Sequence, residues 1–115
     1  MLEIIVNADD FGFSKETAES TIKLFELNAI SSATIMLSKP GTSLAIEYAK
    51  KNPQFSYGLH LNFIRDEDNR PLTPHKEISS LTTNDGFFFS SNQLRKKALL
   101  NLIDPSHICS ETIAQ

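Results

Sequence analysis

Two adjacent carboxylates, Asp9 and Asp10, close a short apolar run in the stretch IIVNADDFGFS from Ile4 to Ser14, and a histidine, His60, stands later in GLHLNF. Neighbouring like charges repel unless solvent, a proton or a cation lies between them. A carboxylate and an imidazole brought together from different strands form a partial shell for a divalent cation, which would remove that repulsion. With one aspartate bound to the ion, the other is left beside it as a base.

Such a site needs elements that carry all three residues to one place. Leu2 to Ala8, centred on Ile4, Ile5 and Val6, is a nearly continuous apolar run and reads as a parallel strand covered on both faces. Ser14 can cap a following helix, with Glu16 in its first turn and Ala18, Ile22, Phe25 and Ala29 at helical spacing. Ser32 to Leu37, in SATIMLS, is a second strand. A second helix opens after Pro40 at Thr42 or Ser43, carries Leu44, Ala45, Tyr48 and Ala49 on one stripe, and stops at Asn52-Pro53. Phe55 to Phe63 alternates as a third strand that puts His60 on its polar phase. Serial strand–helix units argue for a parallel α/β sheet, in which ligands bind at the carboxyl ends of the strands. Asp9, Asp10 and His60 all fall at that end.

The regular period then dissolves. Residues 62–83 form a long polar, proline-containing segment, a candidate lid. NDGFFFS reads as a turn followed by a short apolar strand. Helices are expected from Ser91 to about Leu102 and again from Pro105, with Asp104 as cap.

At 115 residues the chain fits a single domain, here spanning 1–115. A hydrophobic fraction of 40% and a charged fraction of 22% are ordinary for globular proteins and argue against disorder. A net charge of −3 without a dense basic cluster gives no footprint for nucleic acid or an anionic membrane. No apolar run approaches the ~20 residues of a membrane span, so the expected location is the cytoplasm. The single cysteine, Cys109, excludes an internal disulfide and a cysteine-based zinc cage, and reads as a small, at least half-buried apolar residue.

NADDFG (Asn7 to Gly12) and GLHLNF (Gly58 to Phe63) resemble the YdjC-like carbohydrate deacetylases, a family that includes chito-oligosaccharide deacetylases. SATIMLS, RPLT (Arg70 to Thr73) and DGFFF follow in matching order, so the resemblance covers nearly the whole chain. It implies an irregular, TIM-like β/α barrel that is incomplete here. It implies hydrolysis of an N-acetyl group on an amino sugar or chito-oligosaccharide with a divalent metal, Mg²⁺ or Zn²⁺. Carried over by motif, Asp9 is the base, and Asp10 and His60 are metal ligands. Phe11, Asn62, Phe63 and Arg70 are the candidate substrate contacts. The family's third ligand belongs to a later His-rich motif. His75, in TPHKE, and His107, at a helix start, lie in no such motif, so the chain is expected to be the N-terminal portion of a deacetylase, weak or inactive alone.

Two other readings follow from the residues. A receiver-like, Mg²⁺-binding signalling domain also places an acidic pair after its first strand, but needs an aspartate at the end of the third, where this chain has His60. An incomplete sheet also exposes strand edges and apolar surface, through which the chain could form a homodimer.

Overall fold

The computed structural model describes residues 4–65 and 70–115. Three parallel strands, β1 (Asn7–Phe11), β2 (Ser32–Met36) and β3 (Ser56–His60), lie side by side in chain order. They are joined by helices α1 (Lys15–Glu26) and α2 (Thr42–Lys51). Ser14 caps α1 as its sequence predicts, its hydroxyl accepting the Thr17 N–H, and the helix ends before Ala29 because Asn28 turns left-handed at φ 52°. Asn52 ends α2.

Alternation along the strands divides the sheet into two chemical faces. Ala33, Ile35 and Tyr57 join the core, where Phe11, Ala18, Phe25, Ile30 and Ala45 are buried. Phe25 is the hub of that core, with ring centroids of Phe55, Tyr57, Tyr48 and Phe11 between 4.5 and 6.1 Å away. The opposite phase of the same strands carries Asn7, Asp9, Ser32, Thr34, Ser56, Gly58 and His60, a polar face.

The first strand departs from its apolar signal. Leu2 and Glu3 lie outside the described residues, while Ile4 and Ile5 are 73% and 81% exposed and precede the strand rather than forming its centre. Pairing decides this. Val6 accepts the N–H groups of Ser31 and Ser32, and paired residues begin only where β2 offers partners, Asn7 facing Ser32 and Ala8 facing Ala33. The covered-on-both-faces expectation therefore fails for the apolar run, and the acidic pair lies inside β1 rather than after it. The third strand is likewise shorter than its pattern, ending at His60.

From Leu61 to Gln115 the chain forms a second compact unit. It contains a 3-10 turn (His75–Glu77) and helices α3 (Ser91–Leu99) and α4 (Pro105–Ala114). Ser90 and Gln93 form a reciprocal capping box on α3, and Asp104 caps α4. Helix α3 stops short of Leu102 because Asn101 adopts φ 52°. The second half of the long polar segment is packed: Ile78 and Leu81 are buried with Phe88, against Phe63, Leu94 and Ile103. Instead of a strand, the FFF run makes a single antiparallel bridge between Thr82 and Phe88. Cys109 is exposed, contrary to its expected burial, because α4 turns its buried side through Glu111. Among the described residues no helix is long and apolar enough to cross a membrane.

Candidate active site

Regular alternation would send adjacent residues of a strand to opposite faces, so two neighbouring acids could not share a site. The strand solves this with a bulge. Ala8 pairs with Ala33 and Phe11 with Ile35, so Asp9 and Asp10 together stand against the single Thr34. Asp10 takes the left-handed conformation at φ 60°, which aspartate tolerates better than most residues. Gly12 follows at φ 97°, and its carbonyl accepts the Gly41 N–H. A side chain at Gly41 would stand 2.2 Å from the Ser14 carbonyl oxygen, so the loops after β1 and β2 close only on glycine.

The result is a cluster reaching across three strands. Asp9 Oδ1 accepts from Asn7 Nδ2 at 2.8 Å and from Thr34 Oγ1 at 2.9 Å. Ser32 donates to Asn7 Oδ1 at 2.8 Å, which fixes the Asn7 amide with its nitrogen toward Asp9. His60 Nδ1 lies 3.2 Å from Thr34 Oγ1, 3.3 Å from the Asp10 backbone nitrogen and 3.5 Å from Asp10 Oδ1. Both aspartates are exposed, and Gly58, next to Thr34 on β3, leaves the face open beside them. The donors here are carboxylate oxygen and imidazole nitrogen, a mixture that suits several divalent cations. Asp10 Oδ1 and His60 Nδ1 are closer than the ~4 Å that separates two atoms on opposite sides of one ion with bonds of about 2.1 Å. The two residues therefore fit a shared cation. Among the described residues no group of three His, Cys, Asp or Glu comes together, so a complete cage is not assembled by them.

A family model described as YdjC-like protein matches residues 3–115. The chain belongs to the YdjC-like family. Curated relatives of this YdjC-like chain include a carbohydrate deacetylase of Vibrio cholerae serotype O1 (strain ATCC 39541 / Classical Ogawa 395 / O395), 31% identical over 99% of this chain and 42% of the relative. Another is a carbohydrate deacetylase of Clostridium beijerinckii, 31% identical over 86% of this chain and 38% of the relative. A crystal structure from Enterococcus faecalis V583, described as a "putative cellobiose-phosphate cleavage protein", superposes with a TM-score of 0.81 at 25% identity, covering 96% of this chain and 41% of that one. The chain spans less than half the length of each.

The remaining sequence candidates have other occupations. Phe11 is fully buried, ring against Phe25 and Tyr48, so it supports β1 from the core side rather than walling an open site. In the second unit, Asn62 exchanges bonds with Gln115, and Phe63 packs edge-on against Phe88. Arg70 stacks on Phe87 with its Cζ 4.0 Å from the ring centroid and donates to the Asp85 carbonyl. His75 bonds Thr82 and His107 bonds Ser80, each inside that unit. Asn7, Thr34 and Glu111 had no place among the sequence candidates. For Thr34 the signal was present: Ser32 and Thr34 are the polar phase of an otherwise apolar strand.

Proposed function

We propose that the chain carries the base and part of the metal shell of a carbohydrate deacetylase, within an incomplete β/α barrel. The reading rests on one observation above the others, the bulge that turns Asp9 and Asp10 toward the same Thr34–His60 pair. Asp10 and His60 would hold a divalent cation, Mg²⁺ or Zn²⁺. When bound, that ion supplies a Lewis acid for an acetamide carbonyl and acidifies a water. Asp9, with Oδ1 occupied by Asn7 and Thr34, offers Oδ2 to take the proton of the attacking water. The substrate is an N-acetylated amino sugar or chito-oligosaccharide and the product is acetate. A receiver-like role is disfavoured because His60 stands where the phosphorylated aspartate would be.

Acetate release from an N-acetylated chito-oligosaccharide tests the reading. Slow turnover is expected from this chain, dependent on added Zn²⁺ or Mg²⁺ and absent in Asp9→Asn, which should still bind the metal. Turnover that persists in Asp9→Asn would remove Asp9 from the base role.

A further inference from the structure

A divalent cation held by Asp10 and His60 would attract every carboxylate within reach, and an oxygen bound to the ion no longer takes a proton. Asp9 is next in sequence to one of these ligands and a single hydroxyl away from the other, since Thr34 Oγ1 lies 2.9 Å from Asp9 Oδ1 and 3.2 Å from His60 Nδ1. Even so, among the described residues Asp9 does not join Asp10 and His60 as a group of three. The restraint lies in Asn7, whose Nδ2 donates to Asp9 Oδ1 at 2.8 Å. An ionised carboxylate only accepts, so the amide faces it with nitrogen and leaves its oxygen for Ser32. Ser32 stands opposite Asn7 on β2 and donates to that oxygen at 2.8 Å. Ser32 is buried while Asn7 and Asp9 are exposed, so the bonds run from the sheet outward to the carboxylate. The last of them is charge-assisted. Thr34 donates to the same Oδ1 from a different strand, which leaves Oδ2 as the open oxygen.

We propose that Asn7 is a positioning residue that pins Asp9 and keeps it out of the metal shell. Asp9 then stays a base beside the ion instead of becoming a third ligand. With Asn7 removed, the carboxylate keeps one donor, Thr34, and gains freedom to turn about its Cα–Cβ bond toward the Asp10–His60 pair. The purpose of the pinning rests on the metal-site reading above. The pinning itself stands without it.

Three-bond couplings across the Asp9 Cα–Cβ bond in the metal-free chain read the pinning directly, because one staggered rotamer and a rotamer average give different values. The expected pattern is a single rotamer in the wild type and averaging in Asn7→Ala. Asn7→Leu is the second variant should alanine not fold, and the wild-type couplings need neither. In the Zn²⁺-loaded chain kcat should fall about tenfold or more in Asn7→Ala with KM unchanged. Zn²⁺ affinity, read by calorimetry, should stay equal or tighten, because a released Asp9 joins the shell. An averaged Asp9 rotamer in the wild type overturns the inference, and so does a folded Asn7→Ala that keeps the wild-type couplings. Zn²⁺ affinity and kcat that fall together in Asn7→Ala would overturn it too, since that is the mark of general damage to the site. A single Asp9 rotamer that is lost in Asn7→Ala, in a chain that binds no Zn²⁺, would uphold the pinning and sink the metal reading instead.

Discussion

Glu111 has a fully buried side chain in α4, and its loss should strongly destabilise the second unit. Its Oε1 accepts the Leu72 N–H and Gln115 Nε2, both at 3.0 Å, and its Oε2 accepts the Thr73 N–H at 2.9 Å. Two consecutive backbone donors of the RPLT segment thus end on one carboxylate. Leu72 is 49% exposed, so water can replace that acceptor, but Thr73 is 8% exposed and its N–H would be stranded. A buried donor without an acceptor costs about 1–3 kcal/mol, and a bond to a charged group contributes about 1.5–3 kcal/mol. Glu111→Gln keeps one acceptor oxygen and turns an amide N–H toward a backbone donor, for a loss of about 2 kcal/mol. Glu111→Leu removes both acceptors and should cost about 3–5 kcal/mol, a large part of an ordinary domain's 5–15 kcal/mol. Amide hydrogen exchange gives a local reading, since about 2 kcal/mol corresponds to roughly 30-fold faster exchange at Thr73. A urea titration gives the global one. A Thr73 amide as protected in Glu111→Gln as in the wild type, with an unchanged urea midpoint, would refute the clamp.

Other expectations follow from the same kind of accounting. Thr73 Oγ1 is buried without a partner among the described residues, so the isosteric Thr73→Val should be neutral or stabilise by about 1 kcal/mol in the same urea titration. Gly41→Ala should unfold or strongly destabilise the first unit, read by thermal melting, because the added Cβ meets backbone 2.2 Å away; a melt like the wild type's would show that the two loops do not approach so closely. Burial holds the Tyr48 and Tyr57 hydroxyls above their ordinary value of 10.0, helped by Glu26 at Tyr48 and by Tyr48 at Tyr57. Above about pH 10 the unfolded tyrosines ionise before the folded ones, so the unfolded state holds fewer protons and stability falls as pH rises. That fall should shrink in Tyr48→Phe and Tyr57→Phe, measured by denaturation at stepped alkaline pH.

Much of this was legible in the chain. Helix starts declared themselves because a cap is a local event: Ser14 and Asp104 each satisfy backbone N–H groups within three residues. The alternation of strands with helices, and with it the parallel sheet, and the polar phase of His60 followed from periods that short windows contain. Boundaries set by distant partners were hidden. The apolar Ile4–Val6 run looked like a strand, yet β1 lies where β2 provides pairing, and no property of residues 4–6 announces that. The bulge was hidden for the same reason: Asp9-Asp10 read as a turn after a strand, when the extra residue exists only relative to Thr34. Glu111 reads as one polar residue in a mixed helix, and its clamp depends on a segment 38 residues earlier. Phe11 shows the converse error, where a motif neighbour of the acids proved to be core.

The most direct test of the site is titration of Zn²⁺ and Mg²⁺ into the chain and into folded His60→Ala and Asp10→Ala variants, followed by calorimetry. Binding that weakens by about tenfold or more in each variant, as expected for loss of groups at least as close to the ion as an outer-shell partner, is the predicted result. Binding that is equally tight in all three proteins would place the metal elsewhere and contradict the account.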